Sequence, residues 1–272
     1  MFRKKDYKEY NSYLKNIYFK FNFLDNEVPQ GLCIIRNKVY ITCYKIDHTT
    51  SSVIEYNFDG KRTNTFDLKN HAHVGGISYD KRNNVVFICD TKGRVSVYNF
   101  KNFEKIDSFE VSNNPGSRLI ERNYPVCSYL KCHNDKLYVG SFNRLKKGII
   151  KVYYIEKDQG RIKLRYKNEF IVPTKIQGLT FYNNYLILSK SYGRNLSSNI
   201  LVYEYDETLE KYTDKLLKFS LPPMLEQIDM YDEDLVLLFE SSSLKYKYSC
   251  NYVIDSLVSL DLKKIINNCK NN

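Results

Sequence analysis

Two glutamates late in the chain are the side chains best suited to acid–base chemistry. Glu226 follows a double proline in PPMLEQ, and Glu240 ends an apolar run in VLLFESSS. Two carboxyls that lie close together can divide the roles of general acid and general base in a hydrolase or lyase. They can equally be counter-ions for Lys190 and Arg194. We favour the counter-ions, because no nucleophile or second base is evident.

A basic loop, SKSYGRNLSS over residues 189–198, suggests a different chemistry. In it Lys190 and Arg194 flank Gly193, and a guanidinium beside free backbone amides can hold a carboxylate or a phosphate. The alternative is a turn glycine between two solvated bases. Both bases are therefore candidates for holding an anionic ligand.

Two histidines, His71 and His73 in HAHVGG, could chelate a metal together, because alternate residues of an extended segment face the same side. A metal site needs three or four ligands, and the chain has only two further histidines, His48 and His133. We therefore predict no metal site and keep His73 as a catalytic candidate beside the two glutamates. Ser-His-Asp, Walker, GxGxxG and HExxH signatures are absent, so we predict no cofactor, and whether the protein is an enzyme stays open.

The elements that must position these residues come from an internal repeat. In each repeat a small or polar pair opens a short strand, a polar turn leads to a strongly apolar strand, and a third strand follows that is alternating and, in most repeats, rich in Tyr. The repeats align at Gly31, Gly76, Ser128, Gly178 and Gln227, at intervals of 45, 52, 50 and 49 residues. A period of about 40 to 50 residues is typical of the four-stranded blade of a β-propeller.

We therefore predict an all-β fold: one five-bladed β-propeller of four-stranded blades, in a single domain over residues 1–272. The last repeat lacks a fourth strand, so a strand from about Asn16 to Leu24 should complete that blade and close the ring. A β-sandwich would also have short regular strands, but the period and the displaced strand favour the ring. The predicted units are an arm at 1–15 that could form a short helix, a closing strand at 16–27, and blades at about 28–70, 71–123, 124–171, 172–221 and 222–266.

In a propeller, first strands begin and second strands end at the mouth of one face, where the loops of all blades converge and ligands often bind. A first-strand ring is expected from Gln30, Gly75, Cys127, Gln177 and Glu226, and a second-strand ring from Cys43, Asp90, Ser141, Lys190 and Glu240. The alternative is that such groups only bind water around a wide channel. The candidate ligand-binding residues are Gln30, His73, Asp90, Arg144, Gln177, Lys190, Tyr192, Arg194, Glu226 and Glu240. The long loop from Asn113 to Pro125 is a further candidate.

Charge and cysteine content limit the choice of partner and compartment. The formal net charge of +11 and the pI near 9.1 favour anionic partners, nucleic acid among them. The lysines are scattered, however, so we rank nucleic acid below a small polar or anionic ligand or a protein partner. Seven cysteines without a CxxC pair indicate a reducing compartment. With no signal peptide and no long apolar run, we predict a cytoplasmic protein without a membrane span.

The runs KIQG at Lys175, SYGR at Ser191 and PPMLE at Pro222 resemble poorly characterised bacterial five-bladed propeller proteins, often from low-GC Gram-positive bacteria. The resemblance spans about Val28 to Ser256 and implies a propeller with an occupied central face. The resemblance implies no particular activity. The convergent ring of polar and charged residues and the absence of catalytic signatures predict a binding module that holds a polar or anionic small molecule, or a partner segment, at the central mouth. The alternatives are a carboxylate-based hydrolase or lyase at the same site, and a nucleic-acid binder with a basic surface.

Overall fold

Five antiparallel sheets of four strands each form the fold. The computed structural model describes residues 6–23, 26–69, 73–90, 93–111, 127–209 and 211–270. A short helix, α1 (Lys8–Tyr13), leads into strand β1 (Leu14–Lys20). Blade 1 then contains β2 (Glu27–Ile35), β3 (Lys38–Lys45), β4 (Ser51–Asn57) and β5 (Arg62–Asp67).

The next three blades repeat this order. Blade 2 contains β6 (Ile77–Asp80), β7 (Val85–Cys89), β8 (Arg94–Asn99) and β9 (Lys105–Glu110). Blade 3 contains β10 (Tyr129–His133), β11 (Lys136–Gly140), β12 (Gly148–Asp158) and β13 (Arg161–Val172). Blade 4 contains β14 (Ile176–Tyr182), β15 (Tyr185–Lys190), β16 (Ser198–Asp206) and β17 (Lys211–Leu221).

Blade 5 is assembled from both ends of the chain. It contains β18 (Leu225–Tyr231), β19 (Asp234–Phe239), β20 (Ser256–Asp261) and, as its outer strand, β1. A 3₁₀ turn (Glu240–Ser242) and a short helix α2 (Leu244–Lys247) follow β19, and helix α3 (Leu262–Lys270) follows β20. The prediction of five four-stranded blades closed by an N-terminal strand is confirmed.

Local sequence explains the strands and their turns. The second strands β7, β11 and β19 are buried along their whole length, as the apolar runs in them require. The turns before second strands use residues that tolerate positive φ, such as Asn37 at 61° and Asp135 at 58°. Two consecutive residues of this kind, Arg36 with Asn37 and Asn134 with Asp135, form the primed turn that matches the twist of a hairpin.

Within the described residues the hydrophobic core divides into five clusters, and each joins two neighbouring blades. The cluster between blades 5 and 1, for example, contains Val236 and Ile54 together with Phe19 of β1. Because each blade buries both of its faces against its neighbours, the fold is stable only when the ring is closed.

The closing strand pairs antiparallel with β20, and the pairs include Ile17 with Val258 and Phe19 with Leu257. It is shorter than predicted and lies earlier in the chain, ending at Lys20. Residues 21–23 are outside the strand, although the Phe21 amide still donates to the Asp255 carbonyl at 2.9 Å. The predicted arm includes the helix α1, which contacts both β17 and the unpredicted helix α3.

The axis of the ring is filled rather than wide. First strands approach so closely that a Cβ on Gly75 would lie 2.2 Å from the carbonyl oxygen of Ser128. Gln227 of blade 5 reaches across the axis and donates to the carbonyls of Ile77 (3.4 Å) and Leu130 (3.2 Å). Two residues further along β18, Asp229 forms an ion pair with Lys131 of blade 3. These contacts tie blade 5 to blades 2 and 3 and close the bottom of the central mouth.

Candidate functional site

A cavity of about 730 Å³ lies at the central mouth. Every blade contributes to its wall. Eight of the ten predicted ligand-binding residues line it: Gln30, His73, Asp90, Gln177, Tyr192, Arg194, Glu226 and Glu240. Arg144 and Lys190 do not belong to the lining. A cavity of this volume is in the range that holds a small molecule.

All five residues of the first-strand ring line the cavity: Gln30, Gly75, Cys127, Gln177 and Glu226. Backbone bulges explain the direction of the three polar side chains. In β2 the pairing shifts between Pro29 and Gly31, and in β14 between Ile176 and Gly178, so that Gln30 and Gln177 are the unpaired residues. The shift in β18 falls between Leu225 and Ile228 and includes Glu226. A bulge frees one residue from the ladder and re-aims its side chain.

Strained backbone precedes three of these positions. Val74, Lys175 and Met224 have positive φ values of 49°, 67° and 66°, although none is glycine. Hydrogen bonds hold each carbonyl in place: Val74 accepts from the Thr42 hydroxyl at 2.7 Å, Lys175 from the Ser191 amide at 2.9 Å, and Met224 from the Glu240 amide at 3.0 Å. Such strain, about 1–3 kcal/mol for each residue, is found where a site must be held in one geometry.

Glu226 and Glu240 form a hydrogen-bonded carboxyl pair on the floor of the cavity. Each also accepts an amide: Gln177 Nε2 donates to Glu226 Oε1 at 3.1 Å, and Gln30 Nε2 donates to Glu240 Oε2 at 3.0 Å. Burial, and then the charge of Glu240, raise the pKa of Glu226 well above its usual range. Burial also raises the pKa of Glu240 to about 7, against the opposing effects of its hydrogen bonds and of Lys245 and Arg194.

The pair therefore retains a proton at neutral pH. Glu226 is protonated and donates to Glu240, whose own charge is partial. Neither glutamate forms the direct ion pair with Lys190 or Arg194 that the counter-ion interpretation implies, and within the described residues the two carboxyls hydrogen-bond to each other. Arg194 influences Glu240 from a distance, and its own Nη1 donates to the Ser249 hydroxyl at 3.0 Å.

The wall beside blade 1 is aromatic. Tyr44 is buried, and its ring stacks on His48 at 5.1 Å and lies tilted by 33° against His73 at 4.6 Å between centroids. Desolvation of the ring, and then the charges of Lys245 and His48, lower the pKa of His73 to about 4. His73 is therefore neutral at physiological pH and faces the cavity as a hydrogen-bonding group rather than a cation.

Cations and aromatic rings alternate around the top of the cavity. The guanidinium of Arg144 lies 4.7 Å from the Tyr192 ring of the next blade, and that of Arg194 lies 5.1 Å from the Tyr246 ring of the next. Lys245 continues the series at 4.9 Å from the ring of Tyr44 in blade 1, and donates to its hydroxyl at 2.8 Å. Arg144 thus contributes to the upper edge although it lies outside the cavity.

The second-strand ring does not converge as expected. Only Asp90 and Glu240 reach the cavity, and the Asp90 carboxylate already accepts from Ser96 at 2.6 Å and from Lys105 at 3.3 Å. Lys190 lies outside the cavity. Side chains alternate along β15, so Lys190 faces the same side as Leu188, two residues earlier, which packs toward blade 3. Burial and then the charges of nearby lysines, led by Lys218, lower the pKa of Lys190.

The other two members of that ring serve the fold. Cys43 is buried in the core between blades 5 and 1. Ser141 bonds to the backbone of Ile149, whose amide donates to its hydroxyl at 2.9 Å. His71 and the loop from Asn113 to Pro125 lie outside the described residues. Within the described ranges, His, Cys, Asp and Glu form no group of three or more that could hold a metal ion.

Three aromatic residues at the site were not among the residues predicted from the sequence. Phe142 and Tyr246 line the cavity, and Tyr44 forms the wall behind His73. The available signal was the loop that follows each second strand. SFNRLKK from Ser141 and SLKYKYS from Ser243 combine aromatic and basic residues as SYGRN does, and both leave the same end of their blades.

Comparison with solved structures shows a five-bladed β-propeller. Glutaminyl cyclase of Myxococcus xanthus aligns with a TM-score of 0.55 and 11% identity, over 90% of this chain and 94% of that protein. A protein from Lactobacillus plantarum aligns with a TM-score of 0.49 and 16% identity, over 77% of this chain and 63% of its own length. At such identities the likeness shows the fold alone. No protein-family model and no curated protein matches the sequence, so the finer resemblance to bacterial propellers stays a prediction.

The described part of the chain also contains no helix with the length and apolar character needed to cross a membrane.

Proposed function

We propose that the central cavity binds a small polar molecule through the carboxyl pair and its two glutamine partners. The observation that carries this proposal is the arrangement of Glu226, Glu240, Gln30 and Gln177 on the floor of the cavity. Each glutamine uses its NH₂ group on a carboxyl. Among the described residues neither amide oxygen receives a hydrogen bond, so both can accept one from a ligand.

The charge of the floor narrows the ligand class. A shared proton leaves the pair partly anionic, so an anionic group is disfavoured there, whereas hydroxyl, amide or ammonium donors are favoured. An anionic group, where the ligand has one, would face Arg194 at the top of the cavity. Phe142, Tyr192 and Tyr246 can pack against an apolar face of the same ligand. A molecule with hydroxyl or amide groups at one end and an apolar or acidic other end fits all of these features.

The test is the mass spectrometry of small molecules that co-purify with the protein from its native host. The parent chain is compared with a Gln30→Leu, Gln177→Leu variant, which removes two donors and two acceptors from the floor. Glu204→Gln is the control, because Glu204 is exposed on the outer part of blade 4. The proposal predicts a species that is present with the parent and the control and depleted from the double variant. The same set of species in all three samples would refute it.

A second function has a specific observation in its favour. A carboxyl with a pKa of about 7 beside a protonated carboxyl is poised for general acid–base catalysis near neutral pH. The pair would then give and take a proton at one atom of the bound substrate, as in a hydrolase or lyase. The neutral His73, which also lines the cavity, is a further titratable group that could assist.

Turnover of a substrate panel would test this second function. The panel contains glycosides, phosphodiesters and a peptide with an N-terminal glutamine, because the Myxococcus xanthus protein is named a glutaminyl cyclase. Catalysis predicts a pH profile with an inflection near 7 and a loss of about 100-fold or more in Glu240→Gln. Rates equal to those of the variant on every substrate would leave binding as the function of the cavity.

A further inference from the structure

Three neighbouring loops form a rim above the cavity, at residues 141–147, 191–197 and 243–249 of blades 3, 4 and 5. The rim exposes apolar side chains that no packing within the chain explains. Leu145 is 83% exposed, Leu196 57% and Tyr248 86%. With Leu244, these are four of the eight large hydrophobic residues that are exposed in the described part of the chain. An exposed apolar group that surrounds a concave site is typical of an interaction surface.

The rim is also basic and contains no acid. Its three loops carry the cations Arg144, Lys146, Lys147, Arg194, Lys245 and Lys247, and neither Asp nor Glu. Arg144, Arg194 and Lys245 each lie against an aromatic ring of the next blade, and Lys245 also lies 5.3 Å from the Tyr246 ring of its own loop. No carboxylate of the described residues forms an ion pair with these three side chains.

The contact with an aromatic ring orients these cations so that they can bind a carboxylate of a ligand. A guanidinium that lies face-on against a ring still has N–H donors along its edge, and the ring restricts its orientation before a ligand arrives. The same kind of contact recurs in successive blades, from Arg144 to Tyr192 at 4.7 Å and from Arg194 to Tyr246 at 5.1 Å. The rim thus presents donor edges in series, with Leu145 and Leu196 exposed on the same loops.

We propose that the rim docks an extended segment of a partner protein in which acidic residues alternate with apolar ones. Its carboxylates would bind the stacked cations, and its apolar side chains would cover Leu145, Leu196 and Tyr248. A segment suits this surface better than a lipid bilayer, because the apolar residues surround a concavity rather than project from a flat face. The proposal uses residues outside the carboxyl pair, and it stands whether or not the cavity binds a small molecule.

A random peptide library displayed on phage and panned on the intact chain tests this inference. The expected result is enrichment of sequences that combine Asp or Glu with Leu, Ile, Phe or Tyr. Labelled synthetic copies of the enriched peptides should then bind at least about tenfold more weakly to Arg144→Ala and to Leu145→Ser, Leu196→Ser. They should also bind more weakly as salt rises from about 50 to about 500 mM.

Matched controls separate this surface from general charge and from general apolar exposure. Lys61→Ala, Lys101→Ala removes two exposed charges from the opposite face of the ring, and Leu209→Ser removes an exposed leucine there. Both variants should bind the peptides as the parent does. The proposal is wrong if acidic peptides are not enriched or if the rim variants bind them unchanged. Binding of phosphatidylserine vesicles without peptide enrichment would identify a membrane surface instead.

Discussion

The carboxyl pair should make the stability of this protein depend on pH in a direction opposite to that of carboxylates held in ion pairs. A carboxyl whose pKa is higher in the folded chain than in the unfolded chain binds its proton more tightly when folded. Its contribution to stability is complete below the unfolded value near 4.5 and is lost as the pH rises through about 7. We therefore expect the contribution of Glu240 to the free energy of unfolding to fall as the pH rises from about 4.5 through about 7.

The magnitude follows from Glu240. Its pKa rises from 4.5 to about 7 on folding, and a difference of about 2.5 corresponds to about 3 kcal/mol at a pH above both values. This figure is an upper limit for Glu240, because its carboxyl opens onto a solvent-accessible cavity. Glu226 adds to the effect in the same direction, since burial and the charge of Glu240 raise its pKa as well.

Glu240→Gln isolates this contribution. The amide keeps the shape of the side chain and still accepts from Gln30, so the cavity should keep its structure while the second charge is lost. The pKa of Glu226 should also fall, because the charge of Glu240 helps to raise it. The variant should match or fall slightly below the parent near pH 5 and exceed it by up to about 3 kcal/mol near pH 9.

Urea denaturation of both proteins at a series of pH values measures this difference. The free energy of unfolding of the parent is subtracted from that of the variant at each pH. The subtraction is needed because His73, whose pKa is lowered on folding, stabilises both proteins as the pH rises from about 4 to 6.5. This contribution is the same in the two proteins and cancels. Glu204→Gln, at an exposed position, should follow the parent throughout. Parallel curves for the parent and Glu240→Gln over this pH range would show that the two carboxyls do not share a proton in the folded protein.

Three further predictions concern the fold and are measured by urea denaturation. Gly140→Ala should destabilise by about 3 kcal/mol, because its Cβ would lie 2.0 Å from a buried tyrosine ring. Gly160→Ala meets no atom within 4 Å and should lose only about 1 kcal/mol, from its φ of +83°; equal losses would contradict the packing argument. Lys131→Met should lower the free energy of unfolding by about 3 kcal/mol or more, because it leaves Asp229 without its ion-pair partner. Adding Asp229→Asn should recover part of that stability, and no recovery would mean that the unpaired charge is not the cause. Phe19→Ala should cost about 3 kcal/mol because it opens the interface between blades 5 and 1, and a loss below about 1 kcal/mol would show that the closing strand contributes little.

The fold was predictable because its signals are local and repeated. Five apolar second strands with polar turns before them mark five hairpins, and a missing fourth strand in the last repeat indicates the strand β1. Helix α3 was not predicted, because KKIINNC offers only one short apolar face. That face is sufficient once Ile265 and Ile266 can pack against blade 5 and α1, a contact that exists only in the closed ring.

The candidate site was predictable in part, and the two rings show why. First-strand residues converge because the bulges in β2, β14 and β18 turn each side chain toward the axis at comparable positions. Second-strand residues have no such device, so their direction follows the alternation of each strand. Glu240 and Lys190 align in sequence, yet Glu240 begins a 3₁₀ turn whereas Lys190 ends a regular strand. Glu240 therefore enters the cavity, whereas Lys190 remains among other lysines on the face toward blade 3.

The sequence by itself determined the number of blades, the strand that closes the ring and the face on which the mouth lies. These properties depend on the spacing of apolar residues within each repeat and on the order of the repeats along the chain, and both can be read from the sequence. Only the tertiary structure decided that Glu226 and Glu240 share a hydrogen bond and that Gln227 fills the axis. It also decided that Arg144, Arg194 and Lys245 of the rim each lie against an aromatic ring of the next blade. Such contacts join residues of different blades, and they depend on bulges and loop conformations that are set when the ring closes and neighbouring blades pack against one another.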